Sequence, residues 1–263
     1  MCLILFAHQV NRDYPLIVAA NRDEFHQRPT RASQFWPEQP DILAGRDLQA
    51  GGTWMGVNRS GRFAAVTNYR DPDATRPAPK SRGDLVIDYL QKESSTQQYL
   101  EAVSLAAEDY AGFNLLLAEG DQLWCISNSG PSAARGPKQL PPGIYGLSNA
   151  SLDTPWPKVL RGKQALADAL EDPIEHRALE AVVANRQLAS KEQLDLQGMN
   201  SEMEELLSAQ FIVSESYGTR ATTTFWKTAG GKCHWAEKNF DAQGGAIGTV
   251  EEAFQSSIRP GCE

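Results

Sequence analysis

The order in which strand-like and helix-like runs follow one another constrains the fold of this 263-residue chain more than any other feature. Strand-like runs lie at both ends, beginning with CLILFAH at residues 2–8 and closing with QFIVSESYGTRATTTFWKT and CHWAEKNF. Helix-like runs are grouped between them. This grouping predicts an α+β fold in which helices cover antiparallel sheets, whereas alternating strands and helices would predict a parallel sheet. Since no repeat or linker divides the chain, we expect one domain over residues 1–263.

Two hairpins are predicted in the first part of the chain. CLILFAH is followed by LIVAANR (16–22), and its first six residues are apolar, which predicts a strand buried on both faces inside a sheet. GGTWMGVN (51–58) is joined to RFAAVTNY (62–69) by RSG, where Gly61 can adopt a positive φ. The three prolines of residues 71–82 predict an exposed loop.

The middle of the chain predicts helices and further strands. GDLVIDYLQK (83–92) and STQQYLEAVSLAAEDY (95–110) have apolar residues at helical spacing, and FNLLLAEGDQLWCISNS (113–129) predicts two strands joined by a turn. GIYGLSNA (143–150) predicts a short strand. Thr154 and Pro155 predict the start of a helix that continues through KVLRGKQALADAL (158–170), and Ser201 with Glu204 predicts a capping box.

Composition excludes several classes of partner. A formal charge of −8 and a pI near 5.1 argue against a general nucleic-acid-binding protein. No run approaches the ~20 apolar residues of a membrane-spanning helix, and CLILFA lacks the basic leader of a signal peptide. The cysteines form no CxxC pair, so we expect no zinc site, no disulfide framework and a cytoplasmic location; they are Cys2, Cys125, Cys233 and Cys262.

Charge is distributed unevenly along the chain. Residues 1–82 contain 11 Lys and Arg against 8 Asp and Glu, and ten of the 11 basic residues are arginines. Because the guanidinium fork matches carboxylate and phosphate groups, this region suggests a small anionic ligand. Scattered surface arginines are the alternative interpretation.

The second residue, Cys2, has two interpretations. Removal of the initiator methionine is expected when a small residue follows it, and Cys2 would then carry a thiol and an α-amine together. The α-amine has a pKa near ~7.7–8.0, so its neutral form can take the thiol proton as a general base without a catalytic histidine. The alternative is a small buried residue at the start of a strand.

A polar cluster follows the second strand-like run. Asn21, Arg22, Asp23 and Glu24 come directly after LIVAA, and pairing of the first two runs as a hairpin would place this cluster beside Cys2. A carboxylate there can orient the ammonium group, and donors nearby can meet a developing oxyanion. A solvated turn would have the same composition.

Four motifs together resemble the NRDE family, also called the transport and Golgi organisation protein 2 family. They are NRDE (21–24), GRD (45–47), GGTWMGVNRSGRFAAVTNYRDP (51–72) and YGLSNASLDTPWPKV (145–159), and the likeness covers nearly the whole chain. The resemblance implies an N-terminal-nucleophile (Ntn) hydrolase-like fold, which is a four-layer αββα sandwich.

More distantly, the chain is similar to the choloylglycine hydrolase and penicillin V acylase group, whose exposed cysteine cleaves amide bonds. That similarity implies that Cys2 is the nucleophile, that Asp23 orients the amine, and that Asn149 and Asn68 stabilise the oxyanion. YGTRATTTF (217–225) fits a late motif of that group, which implies a role for Arg220. Arg22, with Asn21 and Glu24 beside it, is then expected to support the thiolate or to bind substrate.

One position departs from that group. An arginine precedes the asparagine of their motif, where this chain has Ala20, and the arginine here is Arg22. A shift of two residues along a strand keeps the same face but moves the charge along the chain. We therefore expect the support of the thiolate to differ from that in those hydrolases.

The principal hypothesis is hydrolysis of an amide or thioester of a small anionic or amphipathic substrate, with no cofactor and no metal required. The alternative implied by the family is a haem carrier or chaperone with a link to lipid or acyl-CoA metabolism. With no CxxCH motif, haem would be held reversibly, and the candidate ligands are His8, His26, Cys125 and Cys233. A third interpretation is purely structural: the glycines Gly51, Gly52 and Gly61 serve turns, and the tryptophans Trp54 and Trp156 pack in the core.

Overall fold

A computed structural model describes residues 2–70, 78–197 and 201–257 of the chain. Within these ranges the backbone forms thirteen strands. They are β1 (Cys2–His8), β2 (Leu16–Phe25), β3 (Thr30–Trp36), β4 (Gln39–Asp47), β5 (Met55–Asn58), β6 (Phe63–Asn68), β7 (Phe113–Glu119), β8 (Gln122–Ser127), β9 (Lys138–Gln139), β10 (Gly143–Leu147), β11 (Tyr217–Lys227), β12 (Lys232–Phe240) and β13 (Ala246–Gln255).

Six α-helices lie in the same ranges. They are α1 (Arg82–Gln91), α2 (Thr96–Leu105), α3 (Pro157–Ala169), α4 (His176–Val182), α5 (Lys191–Asp195) and α6 (Glu202–Leu206). Short 3-10 helices cover Ala107–Asp109 and Gly130–Arg135. No helix in the described ranges has the length and apolar character needed to cross a membrane.

The strands form two antiparallel sheets. The first sheet has the order β10-β1-β2-β11-β12-β13, and the second has the order β3-β4-β5-β6-β7-β8-β9. β1 pairs with β10 on one side and with β2 on the other, and every residue of β1 is buried. The prediction of an internal strand at the start of the chain is therefore confirmed.

Alternation of side chains along β1 produces two of the core layers. Ile4 and Phe6 point between the sheets, where they pack with Phe63 and Trp235. Leu3, Leu5 and Ala7 point the opposite way and pack against α3 and α4. A third cluster joins the outer face of the second sheet to α1 and α2. The layers are thus helix, sheet, sheet, helix, as predicted.

Several local predictions are confirmed by the structure. Gly61 has φ +82° in the turn between β5 and β6, and the Gly120 turn (φ +58°) joins β7 to β8. The capping box of Ser201 and Glu204 begins α6. The predicted loop at 71–82 lies outside the described residues over 71–77, and α1 already begins at Arg82.

Other local predictions are corrected. α3 starts at Pro157 with Trp156 as its N-cap, and the Thr154 hydroxyl instead donates to the Ser151 carbonyl in the preceding turn. Residues 210–216 precede β11 rather than belonging to it. Strands β3, β4 and β13 were not predicted. The alternation of exposed and buried positions is interrupted in β3 and β4, and β13 lies at the edge of the first sheet.

Candidate functional site

A cavity of about 340 Å³ opens between the two sheets, next to the start of β1. Its wall takes Cys2 and Arg22 from the first sheet, Asp47 from the second sheet, and Arg82 from the start of α1. A cavity of this size suits a small molecule.

Basic side chains outnumber acidic ones in the cavity wall. The seven basic residues are Arg22, Arg28, Arg31, Arg46, Lys80, Arg82 and Arg220, and the four acidic residues are Asp23, Glu24, Asp47 and Glu237. The excess of positive charge favours an anionic group on a bound molecule. Six of the seven basic residues come from the arginine-rich first 82 residues, and Arg220 is supplied by β11.

Cys2 lies in the cavity wall at the start of β1. Its side chain has the same parity as Ile4 and Phe6, so it points between the sheets, and the residue is 9% exposed. Burial raises the pKa of the thiol, while Arg22 and a backbone hydrogen bond from Asp23 act in the opposite direction. A thiol in this state needs a proton acceptor before it can act as a nucleophile.

The predicted polar cluster is divided between the two faces of β2. Arg22 is the register partner of Cys2 across the β1–β2 pair, and it shares the inner face with Glu24. Arg22 also lies on the same face as Ala20, which packs in the core between the sheets. The prediction that the two-residue shift keeps the arginine on the same face of the strand is confirmed. Arg22 lies opposite Cys2, whereas an arginine at position 20 would lie opposite Ile4.

Asp23 is buried and borders the cavity beside Cys2. The Thr219 hydroxyl donates to Asp23 Oδ1 at 2.7 Å, and the Tyr217 hydroxyl donates to the Asp23 carbonyl at 2.9 Å. Burial raises the pKa of the Asp23 carboxyl, and the charge of Lys158 and the hydrogen bond from Thr219 lower it. Thr219 therefore orients the carboxylate, whereas Tyr217 holds the main chain at Asp23.

Asn21 does not reach the cavity, which corrects its expected role in binding substrate. Its amide nitrogen donates to the carbonyls of Val183 and Gln210, both at 2.8 Å, and its oxygen accepts from the Thr222 hydroxyl at 2.6 Å. The side chain is fully buried on the helix-covered face of β2. Asn21 therefore joins the first sheet to the segments that cover it.

The two other predicted asparagines meet at the neighbouring strand ends. Asn149 donates from its amide nitrogen to the Asn68 carbonyl at 2.9 Å, and its oxygen accepts from the Ser148 hydroxyl at 3.1 Å. The Ser148 hydroxyl also lies 2.9 Å from the Cys2 carbonyl. Asn68 is exposed in the cavity wall, whereas Asn149 is buried behind it.

Arg220 and Glu24 border the cavity and are half-buried. Arg220 donates from Nη1 to the carbonyls of Phe25 and His26 at 2.9 Å, so it holds the turn after β2 as well as bordering the cavity. Glu24 Oε2 lies 3.8 Å from Arg22 and 3.7 Å from Arg28.

Three functional candidates were missed by sequence reasoning. Asp47 contacts Arg22 from the other sheet, Arg82 lies in the cavity wall, and Lys158 is 1% exposed beneath Asp23. Burial lowers the pKa of Lys158 to about 8, although the charge of Asp23 acts to raise it. Asp47 and Lys158 belong to the GRD and YGLSNASLDTPWPKV motifs, so motif membership was the available signal.

The candidate haem ligands lie elsewhere. Among the described residues of the cavity wall there is no histidine, and the thiols of Cys125 and Cys233 are not part of it. His8 is buried at the far end of β1, and Cys233 packs in the core between the sheets. The described residues also contain no cluster of three or more His, Cys, Asp or Glu side chains suited to a metal ion. Cys262 lies outside the described residues.

Comparison with a solved structure defines the fold class. The structure matches a Caenorhabditis elegans N-acylethanolamine-hydrolyzing acid amidase ortholog with a TM-score of 0.50 over 85% of this chain and 92% of that chain, at 9% sequence identity. The αββα sandwich is thus an N-terminal-nucleophile hydrolase-like fold. At this identity the likeness extends to the fold alone.

Sequence comparison defines the family. The family model described as Transport and Golgi organisation 2 matches residues 1–242, and the chain belongs to this family. The chain is 34% identical to the Mus musculus Transport and Golgi organization 2 homolog, over 97% of this chain and 100% of that protein. It is 43% identical to the Bos taurus homolog over 65% of this chain, and the match spans 65% of the bovine protein. The predicted family is confirmed.

Proposed function

We propose that the protein is an N-terminal-cysteine hydrolase that cleaves an amide or thioester bond of a small anionic substrate. The observation that carries the proposal is the position of Cys2, whose side chain borders the cavity opposite Arg22 and beside Asp23. The fold class is compatible with this chemistry, although fold alone does not define an activity.

The reaction requires removal of Met1, so that Cys2 carries a free α-amine. The neutral amine takes the thiol proton, and the thiolate attacks the carbonyl carbon of the substrate. The tetrahedral intermediate collapses with cleavage of the C–N or C–S bond, and the ammonium returns its proton to the leaving group. Water then attacks the thioester on Cys2, again losing a proton to the amine, and the C–S bond breaks to release the carboxylic acid and the thiol.

Asp23 and the two asparagines have distinct proposed roles. The Asp23 carboxylate, held by Thr219, orients the ammonium group of Cys2. Asn149 uses one amide hydrogen for the Asn68 carbonyl, and its second hydrogen and the exposed Asn68 amide are the proposed oxyanion donors. Their position beside the Cys2 carbonyl, through Ser148, supports this assignment.

The basic cavity wall supports an anionic group on the substrate. Arg22 and Arg220 are the predicted arginines that border the cavity, and Glu24 lies 3.8 Å from Arg22 on the same strand. A carboxylate or phosphate on the substrate would displace water from these guanidinium groups without requiring a cofactor.

Mass spectrometry and turnover test the proposal together. Intact mass of the purified protein is expected to lack Met1. Hydrolysis is measured on a panel of acyl p-nitroanilides and acyl thioesters that carry a terminal carboxylate. We expect Cys2→Ala to lower kcat/KM at least ~1,000-fold, as expected for loss of a nucleophile. The matched control is Cys125→Ser, which removes a thiol outside the cavity and is expected to stay within twofold of the parent. Retention of Met1, or hydrolysis that persists in Cys2→Ala, would overturn the proposal.

The carrier alternative makes a different prediction. A haem titration followed at the Soret band is expected to give no saturable change if the protein is a hydrolase. Saturable haem binding that survives Cys2→Ala and is lost in one variant of His8, His26, Cys125 or Cys233 would favour carriage instead. None of these four residues borders the described cavity.

A further inference from the structure

Asp47, at the end of β4, is held by four donors. Its Oδ1 accepts from the backbone amides of Gln49 and Ala50 at 3.0 Å, and its Oδ2 lies 2.6 Å from Arg28 Nε and 3.4 Å from Arg22 Nη2. Its side chain is 16% exposed. Although burial acts to raise the pKa of Asp47, these hydrogen bonds and the charge of Arg28 lower it. The group is therefore a fixed carboxylate in the second sheet.

The Asp47 carboxylate contacts Arg22, which lies in the other sheet. Its side chain is 11% exposed, and Nη2 makes the contact with Asp47. Nη1 is buried and has no hydrogen-bond partner in the described part of the chain. Because the guanidinium is planar, a contact at Nη2 also fixes the direction of Nη1.

The register places this guanidinium beside the thiol. Cys2 and Arg22 are directly paired across β1 and β2, which puts their Cα atoms ~4.5–5.5 Å apart and their side chains on one face. Glu24 competes for the same guanidinium at 3.8 Å, and its side chain is more exposed than that of Asp47. Without Asp47, the ion pair with Glu24 would draw the Arg22 guanidinium away from Cys2, its partner on β1.

We propose that Asp47 is a positioning residue that bridges the two sheets and holds the guanidinium of Arg22 beside Cys2. This inference rests on the proposed role of Cys2. It explains the contact between Asp47 on β4 and Arg22 on β2, two strands in different sheets. Arg22 and Asp47 therefore act as one unit, in which the carboxylate contacts no reacting atom.

Other charges also surround the thiol and must be held constant in a test. From β2 they are Asp23 and Glu24, and from the remaining elements they are Arg28 in the turn after β2, Arg31 in β3, Arg46 in β4, Lys80 before α1, Arg82 in α1, Lys158 in α3, Arg220 in β11 and Glu237 in β12. The variant Asp47→Asn changes none of these residues, but it removes the ion pair of Arg28 along with that of Arg22. Asn keeps an oxygen for the amides of Gln49 and Ala50 and presents an NH₂ group to the arginines.

The experiment measures alkylation of Cys2 in the full-length protein. Iodoacetamide is applied from pH 6 to pH 10, and the modified N-terminal peptide is quantified by mass spectrometry. We expect the midpoint of the profile to rise in Asp47→Asn and alkylation at pH 7.5 to slow ~3–10-fold, the range for a thiol losing one nearby cation. The plateau rate at high pH reports access to the cavity and is expected to stay within twofold.

Controls separate positioning from a change in charge. Glu24→Gln also removes a negative charge near Arg22 but leaves the Asp47 contact, and it is expected to leave the midpoint unchanged or lower it. In an Arg22→Gln background, Asp47→Asn is expected to cause no further slowing, because the effect passes through Arg22. If Asp47→Asn does not fold, Asp47→Glu replaces it, with the same expected direction because the longer side chain displaces the contact.

The outcomes distinguish this inference from the proposed function. An unchanged or lowered midpoint in Asp47→Asn, with slowing in Arg22→Gln, overturns the positioning role and leaves the hydrolase proposal standing. A raised midpoint in Asp47→Asn supports positioning even if Met1 proves to be retained, since alkylation does not require turnover. Slowing by Asp47→Asn that persists in the Arg22→Gln background also overturns the inference.

Discussion

Replacement of Asn21 by alanine is expected to destabilise the protein strongly, because this residue joins the first sheet to the segments that cover it. The substitution leaves the carbonyls of Val183 and Gln210 and the hydroxyl of Thr222 without their hydrogen-bond partner in a fully buried site. An unsatisfied buried polar group costs ~1–3 kcal/mol. With partial relaxation of the three groups, we expect a loss of about 3–5 kcal/mol of the free energy of unfolding.

Urea denaturation followed by circular dichroism measures this loss. The matched control is Asn185→Ala, where an exposed amide oxygen accepts one hydrogen bond from the Gln187 backbone and water can replace it. Its effect is expected to stay within about 0.5 kcal/mol. In the folded population of Asn21→Ala, the pH profile of Cys2 alkylation is expected to be unchanged. A loss below about 1 kcal/mol, or a changed alkylation profile, would refute the structural role assigned to Asn21.

Three further predictions concern other buried groups. Because burial lowers the pKa of Lys158 to about 8 from 10.5, the unfolded chain binds this proton more tightly, and stability is expected to rise by about 3 kcal/mol between pH 8 and pH 10.5. Urea titrations of Lys158→Met should lack this rise, and a rise that persists in the variant would contradict it. In Gly162→Ala, the new Cβ would overlap Leu5 Cδ1, so a loss of about 1–3 kcal/mol is expected in urea denaturation; a neutral effect would show that the site relaxes. Burial lowers the pKa of His176, so stability should fall as the pH drops below ~6.5, and His176→Gln should weaken that fall; equal pH dependence of the two proteins would exclude His176 as its source.

Much of the fold could be predicted from local patterns. The apolar run at 2–7 predicts a strand with both faces covered, since hydrophobic continuity distinguishes such a strand from one that alternates toward water. The hairpin of the first two runs brings Arg22 opposite Cys2, and this adjacency follows from short-range pairing alone. The Gly61 turn and the Ser201 capping box are equally local. These features depend on residues within about 20 positions of one another in the chain.

The amino-acid sequence did not by itself assign the four polar residues 21–24 to their two faces. Read as one cluster, all four were expected to lie beside Cys2, with Asp23 orienting the amine and the other three supporting the thiolate or binding substrate. In the structure, Arg22 and Glu24 face the cavity side, whereas Asn21 points into the helix-covered layer, where segments near 183 and 210 supply its partners. Those partners are more than 160 residues away in the chain. A periodicity of two identifies the two faces, but only packing decides which layer covers each one.

The contacts that complete the candidate site are decided by the tertiary structure. Asp47 reaches Arg22 because the end of β4 in one sheet lies over the end of β2 in the other. Lys158 is buried near Asp23 because α3 packs across the first sheet. The sequence determined which residue types are present and which short segments form strands and helices. The packing of two sheets and their helices determined which charges meet, because such contacts depend on register and layer spacing rather than on neighbours in the chain.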